Sequence, residues 1–111
     1  MRIFTETGFV SAVHHFSEPD QLVVRARDQV SLEDLADFCG AEIKRTPVDD
    51  YPYRVQITDK KFGVWMTNQI SSMAYTNFKN CVHDTRGHDF ADTLMSVWSA
   101  MHDVEDSGAR R

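Results

Sequence analysis

The chain has 111 residues, of which 41% are hydrophobic and 11% aromatic. That length is typical of one compact domain, which excludes a two-domain enzyme with its own cofactor domain. Twelve Lys and Arg against seventeen Asp and Glu give a net charge of −5, so a basic nucleic-acid coat is excluded and any anion site must be a local patch. We expect one α+β domain over residues 1–106 and a flexible basic tail over 107–111.

Turn-forming residues divide the first half of the chain into strands and one helix. Ser17, Pro19 and Asp20 predict a turn between two runs rich in β-branched and aromatic residues. Ser31 is positioned to cap a helix that Gly40 ends. The predicted elements are a strand over 3–15 with a bulge at Gly8, a strand over 22–27, a helix over 31–39, and strands over 41–46 and 53–58 that flank a turn over 47–52.

The second half of the chain predicts three helices. Asp59 is positioned to cap the first, whose apolar face includes Phe62 and Trp65. A short helix over 77–85 follows, and Gly87 separates it from the last. The last helix carries the strongest apolar stripe of the chain, formed by Phe90, Leu94, Val97, Met101 and Val104.

The element order ββαββαα predicts a specific α+β architecture. Moving the last strand of the βαββαβ split sandwich to the front gives a circularly permuted ferredoxin-like fold. We therefore expect a four-stranded, mainly antiparallel sheet with the helices packed on one face. A different four-strand order with the same helices remains open.

Strand alternation predicts a basic patch on this acidic protein. If Leu22, Val24 and Val55 face the helices, alternation sends the polar residues of the same strands to the opposite face. Forked guanidinium donors suit carboxylate or phosphate groups. These residues could equally be solvated or paired with acids such as Glu42. The predicted face comprises Arg25, Arg27, Lys44, Arg54 and Gln56, with His14 or His15 from the first strand and Tyr51 or Tyr53 at the edge.

Several short phrases together resemble a known family over nearly the whole chain. They are Ile3-Phe4-Thr5 with Thr7-Gly8-Phe9-Val10-Ser11, Val24-Arg25-Ala26-Arg27, Asp50-Tyr51-Pro52-Tyr53-Arg54-Val55, Asn77-Phe78-Lys79 and Val97-Trp98-Ser99-Ala100-Met101. The sequence resembles small uncharacterised proteins of actinobacteria and their bacteriophages. The resemblance brings no catalytic residue, but it implies a cytoplasmic phage or prophage protein whose partner is a host protein.

The segment over 81–89 is rich in groups that can bind metals. Cys81 and His88 are seven residues apart, about 10 Å on a continuous helix, which is too far to share one ion. A metal-dependent hydrolase around His83, Asp84 and His88 is therefore only an alternative. No nucleophile elbow or glycine-rich phosphate loop is present. The sequence predicts no catalytic site, no metal and no cofactor.

The last helix offers a second interaction surface. Trp98, with Met95 and Met101, widens its apolar face beyond what a small sheet covers, and a homodimer would bury it. The sequence contains no run of apolar residues long enough to span a membrane, and Cys39 and Cys81 fit a reducing cytoplasm. The predicted partner-binding residues are Arg25, Arg27, Lys44, Tyr53, Arg54, Lys79 and Trp98.

Two functions follow from these predictions. The first is a non-enzymatic interaction protein that binds and modulates a host macromolecule, most simply a protein. The alternative is a nucleic-acid or nucleotide binder, in which single strands would lie on the basic sheet face. Its predicted contacts are Arg25, Arg27, Arg54, Lys79 and Tyr53.

Overall fold

The structure is a computed structural model that describes residues 1–47 and 50–106. The chain divides into two compact units, Met1–Ala74 and Tyr75–Arg111, and each is described by itself. The predicted tail over 107–111 lies outside the described residues, as do two positions of the predicted turn over 47–52. No helix in the described part of the chain is long and apolar enough to cross a membrane.

The first unit is an α+β fold built on a five-stranded antiparallel sheet. The strands lie in the order β1-β2-β3-β5-β4, and each neighbouring pair is antiparallel. The α+β class and the antiparallel sheet are therefore confirmed. The elements are β1 Arg2–Thr5, β2 Gly8–His14, β3 Gln21–Ala26, α1 Val30–Cys39, β4 Lys44–Arg45, β5 Tyr53–Thr58 and α2 Asp59–Ser71.

The prediction of four strands was wrong, because the first predicted strand is a hairpin. Residues 3–15 fold back at Glu6 and Thr7, so that β1 pairs with β2 from Thr5↔Gly8 outward. Gly8 has φ 152°, a backbone conformation that favours glycine, and it begins β2 instead of forming a bulge. The N-terminal strand thereby becomes an edge strand of the sheet.

The core lies between one face of the sheet and helices α1 and α2. Pairing places Ala12, Val24 and Val55 in one row across β2, β3 and β5. Because alternate residues of a strand share a face, this row and its neighbours two residues away form one apolar surface. The buried cluster on that side comprises Val10, Ala12, Val24, Ala26, Leu32, Leu35, Ala36, Val55, Ile57, Phe62 and Trp65.

At two helix starts, a residue near the predicted one supplies the capping side chain. Asp28, and not Ser31, supplies the acceptor at the start of α1, since its Oδ1 accepts from the Ser31 N–H at 3.2 Å. The Ser31 hydroxyl instead accepts from the Phe9 N–H and so joins α1 to β2. Thr58, one residue before the predicted Asp59, accepts from the Lys61 N–H and caps α2. The predicted end of α1 is correct, because Gly40 adopts the left-handed conformation there.

Asp34 joins α1 to α2 through two hydrogen bonds to one oxygen. Its Oδ2 accepts from Trp65 Nε1 at 2.8 Å and from Gln69 Nε2 at 3.0 Å. Trp65 is among the largest fully buried side chains of the chain, so its indole N–H needs this acceptor. The carboxylate therefore satisfies the polar atom of a core residue and fixes how the helices meet.

We expect Asp34→Ala to lower the free energy of unfolding by about 2 kcal/mol, since it leaves a buried indole N–H without an acceptor. The measurement is urea unfolding followed by circular dichroism. Asp37→Ala, on the same helix and exposed, is the matched control and should change the free energy by less than about 0.5 kcal/mol. Equal losses in the two variants would contradict this role of Asp34.

The second unit is a pair of helices, α3 Phe78–Arg86 and α4 His88–Asp106. Asn77 caps α3, its side chain accepting from the Asn80 N–H at 3.0 Å. Gly87 lies between the helices with φ 90°, which allows the chain to reverse. Val82 of α3 and Ala91 of α4 are buried.

Candidate binding groove

Three basic residues form a row on the sheet face opposite α1 and α2. The strand register aligns Arg25 of β3 with Arg54 of β5, and Arg54 with Lys44 of β4. Ser11 of β2 continues the row, and its hydroxyl accepts from the Arg25 guanidinium at 2.8 Å. Alternation of side chains thus places the charges together, because the core residues occupy the other face.

Arg25 and Arg27 both lie against the ring of Tyr51. Each guanidinium carbon is 4.5 Å from the ring centroid. Tyr51 is only 4% exposed. Arg27 also contacts the Asp50 carboxylate at 3.1 Å, and this hydrogen bond raises the pKa of Arg27. The ring of Tyr51 therefore already contacts two guanidinium groups of the protein itself.

Tyr53, a predicted contact of the basic face, lies on the other side of the sheet. It pairs with Ala26 and packs against the buried cluster. Its hydroxyl accepts from Arg45 at 3.0 Å, and the Arg45 guanidinium lies 5.2 Å from its ring centroid. The strand register separates Tyr53 from Arg54 because neighbouring residues of a strand point to opposite faces.

An open groove of about 750 Å³ lies at the β5 side of the sheet in the first unit. Its walls come from the start of the β2–β3 loop, the segment after α1, and the start of α2. Both polar and apolar side chains line it. They are His15, Phe16, Gln21, Val23, Gly40, Ala41, Glu42, Lys44, Thr46, Arg54, Gln56, Ile57, Thr58 and Lys61.

Part of this groove is a strand edge. The Thr46 N–H donates to the Pro52 carbonyl at 2.7 Å, and the β4–β5 ladder ends at Lys44↔Arg54. In an antiparallel ladder, every second residue directs both backbone groups to the same neighbour. The N–H and C=O of Gln56 therefore point to the β4 side, at the level where the two-residue strand β4 has already ended.

The groove carries more positive than negative charge. Lys44 and Lys61 are exposed and line it together with Arg54, whereas Glu42 is its one acidic lining residue. Lys61 Nζ lies 3.4 Å from the Cys39 carbonyl, which holds its ammonium group near the segment after α1. The local charge is thus opposite in sign to the charge of the whole chain.

An aromatic side chain projects at the β2–β3 end of the groove. Phe16 is 95% exposed, and its ring stacks on His15 with a centroid distance of 4.7 Å. His15 is held in place because its Nδ1 accepts from the Ser17 and Glu18 N–H groups, each at 3.1 Å. A fully exposed phenylalanine on a fixed loop is available for an apolar contact with a ligand.

Lys79 and Trp98 lie in the second unit, where they line a different groove of about 370 Å³ with Asn77, Phe78, Leu94 and Met95. Lys79 lies near the start of α3, and Trp98 lies in the middle of α4. Trp98 is 60% exposed, so it does not belong to a closed core. These two predicted residues thus share one surface of the helical pair.

Several titratable side chains between residues 81 and 92 lie close to one another. The rings of His83 and His88 have centroids 5.7 Å apart, and His88 Nε2 lies 3.0 Å from Asp92. Among the described residues, no group of three or more His, Cys, Asp and Glu side chains could hold a metal ion. Both cysteines are free thiols. Burial raises the pKa of the Cys39 thiol, which is the opposite of nucleophile activation.

Sequence reasoning missed the contributions of Phe16 and Lys61 to the groove. Neither residue is among the predicted partner-binding residues. One signal was present for Lys61: it follows the end of β5 by three residues, so it must lie beside that strand's end. Phe16 carried the weaker signal of an aromatic residue next to a turn cluster.

Comparison with known proteins assigns no function to these residues. No protein-family model, curated protein or solved structure matches the chain. The resemblance to actinobacterial and phage proteins therefore stays a prediction from the sequence.

Proposed function

We propose that this chain is a non-enzymatic binding protein that holds an extended, acidic segment of a partner protein in the groove beside β5. The observation that carries the proposal is the coincidence, in one groove, of a strand edge, two exposed lysines and an exposed phenylalanine. In the phage or prophage setting that the resemblance implies, the partner is a host protein in the bacterial cytoplasm, whose activity the binding modulates.

A strand edge favours an extended peptide because its backbone groups can continue the sheet. The N–H and C=O of Gln56 would pair with such a segment, which would take the place beyond the end of β4. Its side chains would alternate between the two faces of the extended sheet. Acidic residues on one face would meet Lys44, and an apolar residue at the other end would meet Phe16.

Charge favours an acidic segment over a nucleic acid. The net charge of −5 repels any anion, and the repulsion grows with the number of negative charges, so it acts most strongly on a phosphate backbone with one charge per nucleotide and less on a short acidic segment that the local lysines neutralise. The two tyrosine rings predicted for the basic face are also not placed to stack on bases. Tyr51 is buried beneath Arg25 and Arg27, and Tyr53 packs toward the core.

For the fold we propose the circularly permuted ferredoxin-like arrangement. Strand order supports it, since β2-β3-β5-β4 is the order expected when the last strand of the split sandwich moves to the front. The positions of α1 after β3 and of α2 after β5 also fit. Strand β1 is then an addition at the edge.

We expect a fluorescein-labelled octapeptide of alternating Glu and Val to bind the full chain. Charge reversal and truncation of the groove should weaken this binding, about thirtyfold for Lys44→Glu/Lys61→Glu, which loses two contacts, and about fivefold for Phe16→Ala, which loses one, because each lost contact is worth roughly 1 kcal/mol. The measurement is fluorescence anisotropy at low and physiological salt. Lys60→Glu is the matched control, since Lys60 is an exposed neighbour of Lys61 outside the groove.

Two further probes separate this proposal from its alternatives. An octapeptide of alternating Lys and Val has the same pattern with the opposite charge, and it should not bind. A single-stranded oligothymidine tests the alternative that the chain binds nucleic acid. Equal binding of the two peptides, or equal losses in Lys60→Glu and the groove variant, would contradict the proposal. Salt-sensitive binding of oligothymidine alone would favour the nucleic-acid function instead.

A further inference from the structure

The apolar stripe of α4 extends beyond the helix that packs on it. At 1.5 Å per residue, the 19 residues of α4 span about 28 Å and the nine residues of α3 about 14 Å. The contacts place α3 along the first half of α4: the Arg86 guanidinium lies 3.9 Å from the Phe90 ring, and Lys79 shares a groove with Trp98. Beyond that level, Met101 is 58% exposed.

The stripe has the spacing of a helix-pairing seam. Phe90, Leu94, Val97, Met101 and Val104 follow one another at intervals of four, three, four and three residues. Apolar residues at alternating intervals of three and four keep one face of a helix against a partner helix. Val97, Met101 and Val104 are exposed large hydrophobic residues of this seam, and Trp98 adjoins it.

The part of the seam from Leu94 to Val104 is symmetric about Ser99. Leu94 and Val104 lie five residues on either side of Ser99, and Val97 and Met101 lie two residues on either side. A second copy of α4 running antiparallel, with a two-fold axis at Ser99, therefore meets each apolar residue with an apolar residue. Self-complementarity of this kind is the requirement for a two-fold symmetric interface.

Charges along α4 favour the antiparallel arrangement over the parallel one. With the axis at Ser99, Glu105 of the second copy lies beside the seam at the level of Thr93. Lys79 lines the groove beside Leu94, so each copy would offer an ammonium group to Glu105 of the other. A parallel pair would instead place the two copies of Glu105 at the same level beside the seam, and like charges at close range repel.

We propose that two copies of the chain associate through α4, antiparallel about Ser99, with Val97 against the second copy's Met101 and Leu94 against the second copy's Val104. The two Trp98 side chains lie on the same side of this interface, about 3 Å apart along the helix axis. This inference concerns the second unit and is independent of the groove beside β5. Either can fail without the other.

The oligomeric state of the full chain tests the proposal. Sedimentation equilibrium at about 100 µM should give twice the chain mass of 12.7 kDa. Met101→Glu should give the monomer, because it buries two like charges near the axis. Ser99→Glu, on the opposite side of the helix, should remain a dimer. A wild-type monomer, or a Met101→Glu dimer, would overturn the inference.

Cross-linking tests the orientation even if Met101→Glu fails to fold. In a background with Cys39 and Cys81 replaced by serine, Ala100→Cys and Thr93→Cys each add one thiol at equivalent positions beside the seam, seven residues apart. In the antiparallel pair the two residues 100 are about 3 Å apart along the axis and the two residues 93 about 18 Å apart. A short bis-maleimide should therefore link only Ala100→Cys. Linking at both positions, or at neither, would overturn the proposal.

Discussion

Replacing Trp65 with alanine should lower the free energy of unfolding by about 4 kcal/mol, which is the largest effect we expect from a single substitution. Trp65 is 1% exposed and packs against Phe62 with a ring-centroid distance of 5.7 Å. The substitution removes a large apolar side chain, leaves a cavity between α2 and the sheet, and leaves the Asp34 carboxylate without its indole donor.

Urea unfolding followed by circular dichroism measures this loss without relying on tryptophan fluorescence. Val64→Ala is the matched control because Val64 precedes Trp65 on the same helix and is exposed. Its effect should stay below about 0.5 kcal/mol. If Trp65→Ala were no more destabilising than the control, the core described here would be wrong.

Tyr51→Ala should cost about 3 kcal/mol, the second largest effect. The substitution removes a buried ring together with its contacts to two guanidinium groups, and each cation–π contact adds to the loss of apolar burial. It also takes away the surface on which the half-buried Arg25 rests. Thermal unfolding and urea unfolding both report the change.

Tyr51→Phe separates the contribution of the ring to stability from that of the hydroxyl group. Because the ring carries the contacts with Arg25 and Arg27, the phenylalanine variant should retain most of the stability and lose less than about 1 kcal/mol. Similar losses in the alanine and phenylalanine variants would show that the hydroxyl group, and not the stacking, is what matters at this position.

Elements with strong local signals were predictable from the sequence. Strand β5 occupies the predicted residues 53–58, and α1 ends where Gly40 supplies a left-handed conformation. The hairpin of β1 and β2 was not predictable from composition, because its whole length reads as β-forming and only the pairing shows where it reverses. Strand β4 covers two of the six predicted residues, since its pairing with β5 ends at Lys44.

The basic row was predictable from the sequence because it depends on local structure, whereas the groove depends on tertiary structure. Alternation along a strand is a local property, so Arg25, Lys44 and Arg54 could be assigned to one face before the register was known. Phe16 and Lys61 reach the groove from a loop and from a helix start, which only the tertiary structure brings together. The prediction for Tyr53 was wrong because it placed Tyr53 at the edge of the basic face. Tyr53 precedes Arg54 in the same strand, so its side chain points to the opposite face of the sheet.

The central claim is that a partner segment pairs with the free edge of β5, and the amide of Gln56 reports on it directly. Hydrogen exchange of the full chain, measured residue by residue by NMR with and without the alternating Glu and Val octapeptide, separates the two edges of this strand. The Val55 amide points toward β3 and should exchange at the same rate in both samples. The Gln56 amide should exchange more slowly when the peptide is bound, whereas a bound peptide that leaves Gln56 exchange unchanged would contradict pairing at this edge.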